Sequence, residues 1–229
     1  MSKPVCAVIG IGPKNGAAFA RRFAADGHAV ALLSRRTEFS SQLAGELDTA
    51  LALACDVTNP ESVAASFTRI RDELGPVQTV IYNAGSGTWG NFEEISAEKF
   101  EQTWRVNSMG LFCVAKQVVP GMVEQGRGNI VVVGATASLR GKPVTTAFAP
   151  AKAAQRSLAQ SMARHLGPKG IHVSLIIVDG LIGEAGASKD EAPDKLDPDD
   201  IAHAAAFLAS QPRSAWTFEL DVRPQLENW

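Results

Sequence analysis

Short apolar runs recur along the chain and are separated by longer segments in which apolar residues follow helical spacing. Most of these runs lack strict alternation with polar residues, which is typical of strands covered on both faces of a parallel sheet. The runs lie at 5–9, 29–33, 51–54, 77–81, 130–133 and 171–178. Because strands and helices alternate, the pattern predicts an α/β fold with a Rossmann-type, doubly wound parallel sheet.

Helix-start signals precede the segments with helical spacing. A capping side chain or a proline in the first turn marks such starts, because both are favoured there. The signals stand at Pro60, Ser96, 147–150 and Asp197-Pro198. The last apolar run, at 216–222, alternates with polar residues and therefore predicts a strand with one polar face or an edge position.

The first apolar run leads into the stretch Gly-Ile-Gly-Pro-Lys-Asn-Gly at 10–16, which is followed by an alanine-rich helical pattern. Glycines are needed where a strand turns sharply into a helix and the backbone must approach a pyrophosphate. The N–H groups at the helix N-terminus then stabilise the phosphate charge. Alone, the stretch also fits an ordinary strand-to-helix turn, so the flanking sequence must decide between the two interpretations.

The composition is that of an ordinary globular protein and limits the partners. The chain has 229 residues, of which 45 % are hydrophobic and 20 % charged, and its formal net charge is -2. Without a basic excess we expect no nucleic-acid partner and no membrane binding. The N-terminus lacks the apolar region of a signal peptide, and no apolar stretch approaches the roughly 18 residues of a membrane span. We therefore expect a soluble, cytoplasmic protein.

Cysteine and histidine residues form no metal-site pattern. Cys6, Cys55 and Cys113 are odd in number and lie in or beside apolar segments, which favours burial over disulfide bonds. The four histidines are widely separated and lack the spacing of metal ligands. We therefore predict that the protein holds no metal.

Later motifs carry a family resemblance. They are Tyr82-Asn83-Ala84-Gly85 at the end of the fourth strand, Asn107 in an apolar helix, Lys152, and Asp179-Gly180 after the sixth strand. In this order and spacing the chain resembles the short-chain dehydrogenase/reductase superfamily over nearly its whole length. The resemblance implies one Rossmann-type domain over 1–229 with about seven strands, a bound nicotinamide dinucleotide and a small-molecule substrate. It also implies a homodimer or homotetramer built on the helices around 97–125 and 147–166.

The resemblance assigns a set of residues to the cofactor. Gly10 and Gly16 match the first and last glycines of the superfamily's turn, while Lys14 occupies the middle glycine position and either meets a phosphate or is exposed on the turn. Asp56 matches a contact to the adenine amino group and also suits a turn before a helix. The expected cofactor residues are Gly10, Gly12, Lys14, Asn15, Gly16, Ser34, Arg35, Arg36, Asp56, Val57, Asn83, Ala84, Gly85, Lys152 and Gly180.

The choice between the two nicotinamide cofactors is read about 20 residues after the turn, where a carboxylate would bind the ribose 2′-OH of NAD. Here the chain has Ser34-Arg35-Arg36 and no acid. Two guanidinium groups fit a 2′-phosphate better, because they form bidentate, charge-assisted hydrogen bonds with it. The sequence therefore predicts a preference for NADP(H) over NAD(H).

The resemblance is incomplete at the catalytic positions. In the superfamily, a tyrosine four residues before the lysine exchanges a proton with the substrate oxygen, and a serine 13 residues earlier holds that oxygen. The corresponding residues here are Phe148 and Ala135, while Lys152 and Asn107 are retained as catalytic residues. The superfamily uses the asparagine to bend its helix and to hold a water near the lysine. The only tyrosine, Tyr82, is expected to pack in the sheet or beside the cofactor.

Two functions remain open at this point: an oxidoreductase acting on a carbonyl, an alcohol or an activated double bond with a non-standard proton donor, and a cofactor-binding protein without turnover. The substitute donor is either a water held by the lysine and asparagine or one of Thr136, Ser138, Thr145, Thr146 and Glu184. We expect pocket residues from 89–95 and from a mobile substrate loop at 183–197. Arg140 either faces an acidic substrate or lies in solvent.

Overall fold

A parallel sheet of seven strands forms the centre of the computed structural model, which describes residues 3–184 and 194–227. Its strands are β1 (Val5–Ile9), β2 (Ala29–Ser34), β3 (Ala50–Ala54), β4 (Val77–Tyr82), β5 (Gly128–Ala135), β6 (Ile171–Val178) and β9 (Glu219–Val222). Two further strands, β7 (Leu181–Ile182) and β8 (Lys195–Leu196), form a small separate sheet. The main order is β3-β2-β1-β4-β5-β6-β9, so the connections run outward from β1 in both directions. This is the doubly wound arrangement, and it confirms the predicted fold class.

Helices cover both faces of the sheet. The helices of the described residues are α1 (Asn15–Ala25), α2 (Glu38–Glu46), α3 (Pro60–Glu73), α4 (Ala97–Trp104), α5 (Gly110–Gln125), α6 (Phe148–Leu166) and α7 (Pro198–Ala209). Alternate residues of a strand point to opposite faces: Ala7 and Ile9 join the apolar cluster that includes α3, α5 and α6, whereas Cys6 and Val8 join the cluster of α1, α2 and α7. Burial on both faces explains why the strands read as continuous apolar runs.

Capping residues set the predicted helix starts. The side chains of Asn59, Ser96 and Asp197 each accept hydrogen bonds from backbone N–H groups in the first turn of the helix that follows. Helix α2, in contrast, is not predicted by the apolar pattern. Only Ser40 and Leu43 of its residues are buried, which is too few to give a periodic signal.

A π-helical turn, Arg105–Met109, joins α4 to α5, so one helix runs over Ala97–Gln125. By length and composition this helix is apolar enough to cross a membrane, which corrects the expectation that no stretch reaches that size. Half of its most apolar part is buried inside the fold. Because core helices of water-soluble proteins meet the same criterion, the finding is weak support for a membrane span.

The edge strand is shorter than predicted. The alternating pattern covers 216–222, but β9 contains only its last four residues, and β9 pairs with β6 at the edge of the sheet. Phe218 packs against the cluster of α3, α5 and α6, whereas Leu220 and Val222 pack against the other cluster. The N–H of Thr217 donates to the Gln211 side chain over 2.8 Å instead of joining a strand. The predicted edge position is thus confirmed, while the predicted length is wrong.

Regular structure borders the loop predicted at 183–197. Strand β7, just before it, pairs in parallel with β8. The following residue, Asp197, caps α7 by accepting from the N–H of Asp199 over 2.9 Å. Residues 195–197 thus belong to a strand and a helix cap, while the central part, 185–193, lies outside the described residues. The mobility of the segment stays a prediction.

Candidate functional site

The glycine turn joins β1 to α1 at the carboxyl edge of the sheet. Gly10 has a φ of 92°, a conformation that favours glycine, and a Cβ on it would lie 2.6 Å from the backbone of Ala84. Asn83, just after β4, donates from Nδ2 to the Gly10 carbonyl oxygen over 2.8 Å. The turn is therefore fixed against the end of the neighbouring strand.

The rest of the turn leaves room for an anion. A Cβ on Gly16 would lie 2.7 Å from the Gly10 carbonyl oxygen, so the close approach of α1 requires glycine there. A Cβ on Gly12 would meet no atom of the described chain within 4 Å, which leaves open space beside the start of α1. The unsatisfied N–H groups of a helix N-terminus favour negative charge. The turn therefore fits a pyrophosphate.

Lys14 and Asn15, at the start of α1, have different environments. The Lys14 Nζ lies 2.8 Å from Glu184 Oε1 and donates to the Ile182 carbonyl oxygen over 3.1 Å, so it links the turn to β7. Asn15 is buried and lines a cavity of about 510 Å³, the larger of two that the described residues form at this edge of the sheet. Its Oδ1 has no hydrogen-bond partner within the described part of the chain, which makes it an available acceptor.

The smaller cavity, of about 330 Å³, lies over the carboxyl ends of β1, β2 and β4. Its wall includes Gly10, Ser34, Arg35, Asp56, Val57, Asn83, Ala84 and Gly85. Arg36 is exposed and lies outside this wall. Its backbone carbonyl oxygen accepts a hydrogen bond from Ser34 Oγ over 2.7 Å. Asp56 Oδ1 accepts from both the N–H and the hydroxyl of Thr58, so Asp56 serves a turn and the cavity wall together.

Lys152 is a buried cation at the edge of the larger cavity. Its side chain is carried by α6, and its Nζ donates to the Val133 carbonyl oxygen and to Gln155 Oε1, each over 3.0 Å. Burial lowers the pKa of Lys152 to about 8. Phe148 lies one helical turn before it, with the ring centroid 5.9 Å from Nζ.

Asn107 lies in the π turn and is fully buried. Its Nδ2 donates to the carbonyl oxygens of Ser86 and Thr103, whereas its Oδ1 has no partner among the residues that the structure describes. Gln155 Nε2 donates to the Asn107 carbonyl oxygen over 2.9 Å, so Gln155 connects the asparagine to Lys152. No motif of the sequence predicts a role for Gln155; its position three residues after Lys152 on α6, on the same helix face, is the signal that points to it.

The larger cavity, of about 510 Å³, opens between the ends of β5 and β6 and the aromatic pair Trp89 and Phe148, whose ring centroids lie 5.4 Å apart. Its wall also includes Ala135, Thr136, Arg140, Thr145, Lys152, Asp179 and Gly180. Of the expected pocket segment 89–95, Trp89 alone reaches this wall. Asn83, Gly85 and Ser86 line both cavities, so the two spaces meet beside the fourth strand.

Tyr82 lies away from both cavity walls. Its side chain is fully buried, and its hydroxyl donates to the Val106 carbonyl oxygen over 2.5 Å. Burial raises its pKa well above the usual range. The prediction that Tyr82 packs in the sheet is therefore confirmed.

The sheet order reverses between β1 and β4, and both cavities lie at that carboxyl edge, which is the ligand-binding edge of Rossmann-type folds. The sequence profile of the family described as short chain dehydrogenase matches residues 5–193. The chain belongs to this family of oxidoreductases, whose members bind nicotinamide cofactors.

Individual relatives agree with this assignment. The uncharacterized oxidoreductase YuxG of Bacillus subtilis is 30 % identical over 91 % of the chain. The matched region covers only 35 % of the length of YuxG, so the chain spans about a third of that relative. The inactive 2-(S)-hydroxypropyl-CoM dehydrogenase 2 of Xanthobacter autotrophicus is 30 % identical, over 80 % of the chain and 88 % of that protein. A metagenomic short-chain oxidoreductase solved in complex with NADP is 26 % identical, with a TM-score of 0.87 and 99 % of each chain covered.

Proposed function

We propose that the protein is an NADP(H)-dependent oxidoreductase that acts on a carbonyl, an alcohol or an activated double bond, with a proton donor other than tyrosine. The observation that carries this proposal is the buried ammonium of Lys152 at the edge of a cavity. Burying a charge is unfavourable unless it is hydrogen-bonded, and a buried, perturbed cation in a cleft is typical of a functional site.

Residues of the two cavities would contact different parts of the cofactor. In this proposal the glycine turn holds the pyrophosphate, Asp56 and Asn83 lie along the adenosine, and Arg35 meets the 2′-phosphate. Lys152 donates to the nicotinamide ribose hydroxyls, and the unpartnered Oδ1 of Asn107 accepts from a water. When bound, the nicotinamide supplies the hydride chemistry. The NADP complex of the metagenomic relative supports the assignment of NADP(H).

The proposed site differs from the standard superfamily site at two positions. Phe148 and Ala135 stand in the cavity wall where the resemblance expects tyrosine and serine, and neither side chain forms hydrogen bonds. Loss of one acid–base group lowers a rate by about 10² to 10⁴-fold, while hydride transfer belongs to the cofactor. The proposed reaction therefore needs its proton from another group in the wall.

A second candidate is a cofactor-binding protein without turnover, in which the nucleotide is a structural or sensory ligand. The observation that favours it is the contact between Trp89 and Phe148, which puts an apolar surface at the usual position of the acid. One relative of similar length carries the word inactive in its name. A fold alone does not decide between these functions.

The two functions are separated by measuring NADPH consumption with a panel of aldehydes, ketones and enones, beside NADPH binding by fluorescence. We expect turnover of at least one substrate class together with saturable binding. The alcohols that correspond to the aldehydes and ketones are tested with NADP⁺ in the same way. Tight binding of NADPH without turnover in either direction would instead support the cofactor-binding protein.

The affinity for NADPH should depend on the ionisation of Lys152. Its pKa is lowered from 10.5 to about 8, so the ammonium dominates below that pH and is lost above it. The ammonium fraction falls from about one half at pH 8 to about one eleventh at pH 9, so if the neutral form binds about tenfold more weakly, the apparent Kd rises about threefold.

Fluorescence titrations of NADPH between pH 7 and pH 9 measure this dependence. The Lys152→Met variant keeps an apolar side chain that carries no titratable proton. It should bind NADPH more weakly, and its Kd should not change between pH 7 and pH 9. An unchanged pH dependence in this variant would assign the titration to another group.

A further inference from the structure

Thr136 and Asp179 lie one residue beyond the paired ends of β5 and β6. Ala135 and Val178 are register partners at these ends, so the next two residues emerge side by side at the ligand-binding edge of the sheet. Thr136 Oγ1 donates to Asp179 Oδ1 over 2.5 Å. The sheet topology therefore joins a hydroxyl and a carboxylate that are 43 residues apart in sequence.

This pair faces the larger cavity together with Lys152 and Phe148. Asp179 is 7 % exposed, and its Oδ2 lies 3.5 Å from Nη1 of Arg223, whose Nη2 also donates to Asp221 Oδ2 over 2.9 Å. A hydroxyl that donates to a carboxylate keeps its lone pairs for accepting another proton. The Thr136 oxygen is thus prepared to accept from a substrate hydroxyl.

We propose that Thr136 exchanges the proton with the substrate oxygen and that Asp179 positions this hydroxyl and takes up the proton it releases. This inference rests on the proposed oxidoreductase function. In alcohol oxidation, the C–H bond breaks with its electron pair leaving as hydride to the oxidised nicotinamide dinucleotide. The alcohol O–H proton passes to Thr136 Oγ1 while the Thr136 proton passes to Asp179 Oδ1. Carbonyl reduction reverses both transfers, starting from the protonated carboxyl group.

The other candidate groups are less suited to this role. The Thr145 hydroxyl is engaged with Lys142, because it accepts from the backbone N–H over 2.7 Å and donates to the carbonyl oxygen over 2.9 Å. Ser138 and Thr146 lie outside the cavity wall. Glu184 pairs with Lys14 on the glycine turn. Among the described candidates, Thr136 alone combines a place in the wall with a carboxylate partner.

Three variants test the relay on the alcohol that the unaltered protein oxidises fastest with NADP⁺. Thr136→Val keeps the shape but removes the hydroxyl, and kcat should fall by about 10² to 10⁴-fold with little change in KM. Thr136→Ser restores the hydroxyl and should return most of this loss. Asp179→Asn still accepts the hydrogen bond but cannot take a proton, so kcat should fall comparably. The Kd for NADPH, measured by fluorescence, should change less than about twofold in all three.

Ser138→Ala is the matched control, because this hydroxyl belongs to the same short helical turn as Thr136 but lies outside the cavity wall. It should keep the rate of the unaltered protein. Full activity of Thr136→Val or Asp179→Asn, with NADPH binding retained, overturns the relay and leaves the oxidoreductase function standing. Equal loss in Thr136→Ser and Thr136→Val also overturns it. Absence of turnover in the unaltered protein overturns both proposals, and this outcome is recognised before any variant is made.

Discussion

Replacing Lys152 with alanine should lower kcat for NADPH-dependent turnover by about 10²-fold, because a nicotinamide ribose that is no longer held lets the reacting carbon leave its productive position. The Nζ of Lys152 lies 3.8 Å from the position of a Cβ on Gly85, which lines both cavities. The ammonium therefore stands where the two spaces meet, which is the proposed place of the nicotinamide ribose. Loss of a charged hydrogen-bond donor should also weaken NADPH binding by about tenfold, since such bonds contribute about 1.5 kcal/mol or more.

Single-turnover rates with saturating NADPH separate the loss in chemistry from the loss in binding. Lys152→Met fills more of the space that alanine leaves empty, so equal rates in both variants assign the effect to the ammonium rather than to a cavity. Lys116→Ala removes an exposed lysine from α5 and should leave both quantities unchanged. If Lys152→Ala turned over substrate at the rate of the unaltered protein, Lys152 would have no part in the reaction.

Much of the fold is predictable because its signals are local. Strands such as β1 and β6 are buried on both faces, so each appears as an apolar run whose bounds agree with the structure. Capping side chains such as Asn59 and Ser96 act within four residues of the helix start, and their positions are therefore visible in the sequence. Helix α2 buries two residues only, and no local pattern announces it.

The candidate site is only partly predictable, because several of its contacts cross long stretches of chain. Spacing and resemblance predict the glycine turn, Arg35 and Lys152, and the structure brings them to the same edge of the sheet. Pairing of Thr136 with Asp179 depends on the register of β5 with β6, which no single segment reveals. The same holds for Gln155, whose contact with the Asn107 backbone spans 48 residues.

Arg35→Asp should reverse the cofactor preference. Arg35 follows β2, is exposed, and belongs to the wall of the smaller cavity, where the proposed 2′-phosphate lies. Removing its guanidinium loses charge-assisted hydrogen bonds worth about 1.5 to 3 kcal/mol, which corresponds to about a ten- to hundredfold weaker affinity for NADPH. The new carboxylate repels the 2′-phosphate and can accept from the ribose 2′-OH of NADH. We therefore expect Kd for NADPH to rise by about a hundredfold and Kd for NADH to fall.

Fluorescence titrations with both cofactors at one salt concentration measure this change, since exposed charges are screened by salt. Arg127→Asp is a matched control, because it makes the same charge change at an exposed position before β5, at the opposite edge of the sheet. It should leave both dissociation constants unaltered. Arg36→Asp tests the neighbouring guanidinium, which lies outside the wall and should therefore have the smaller effect. Equal dissociation constants for NADPH and NADH in the unaltered protein would refute the proposed preference, whatever the variants did.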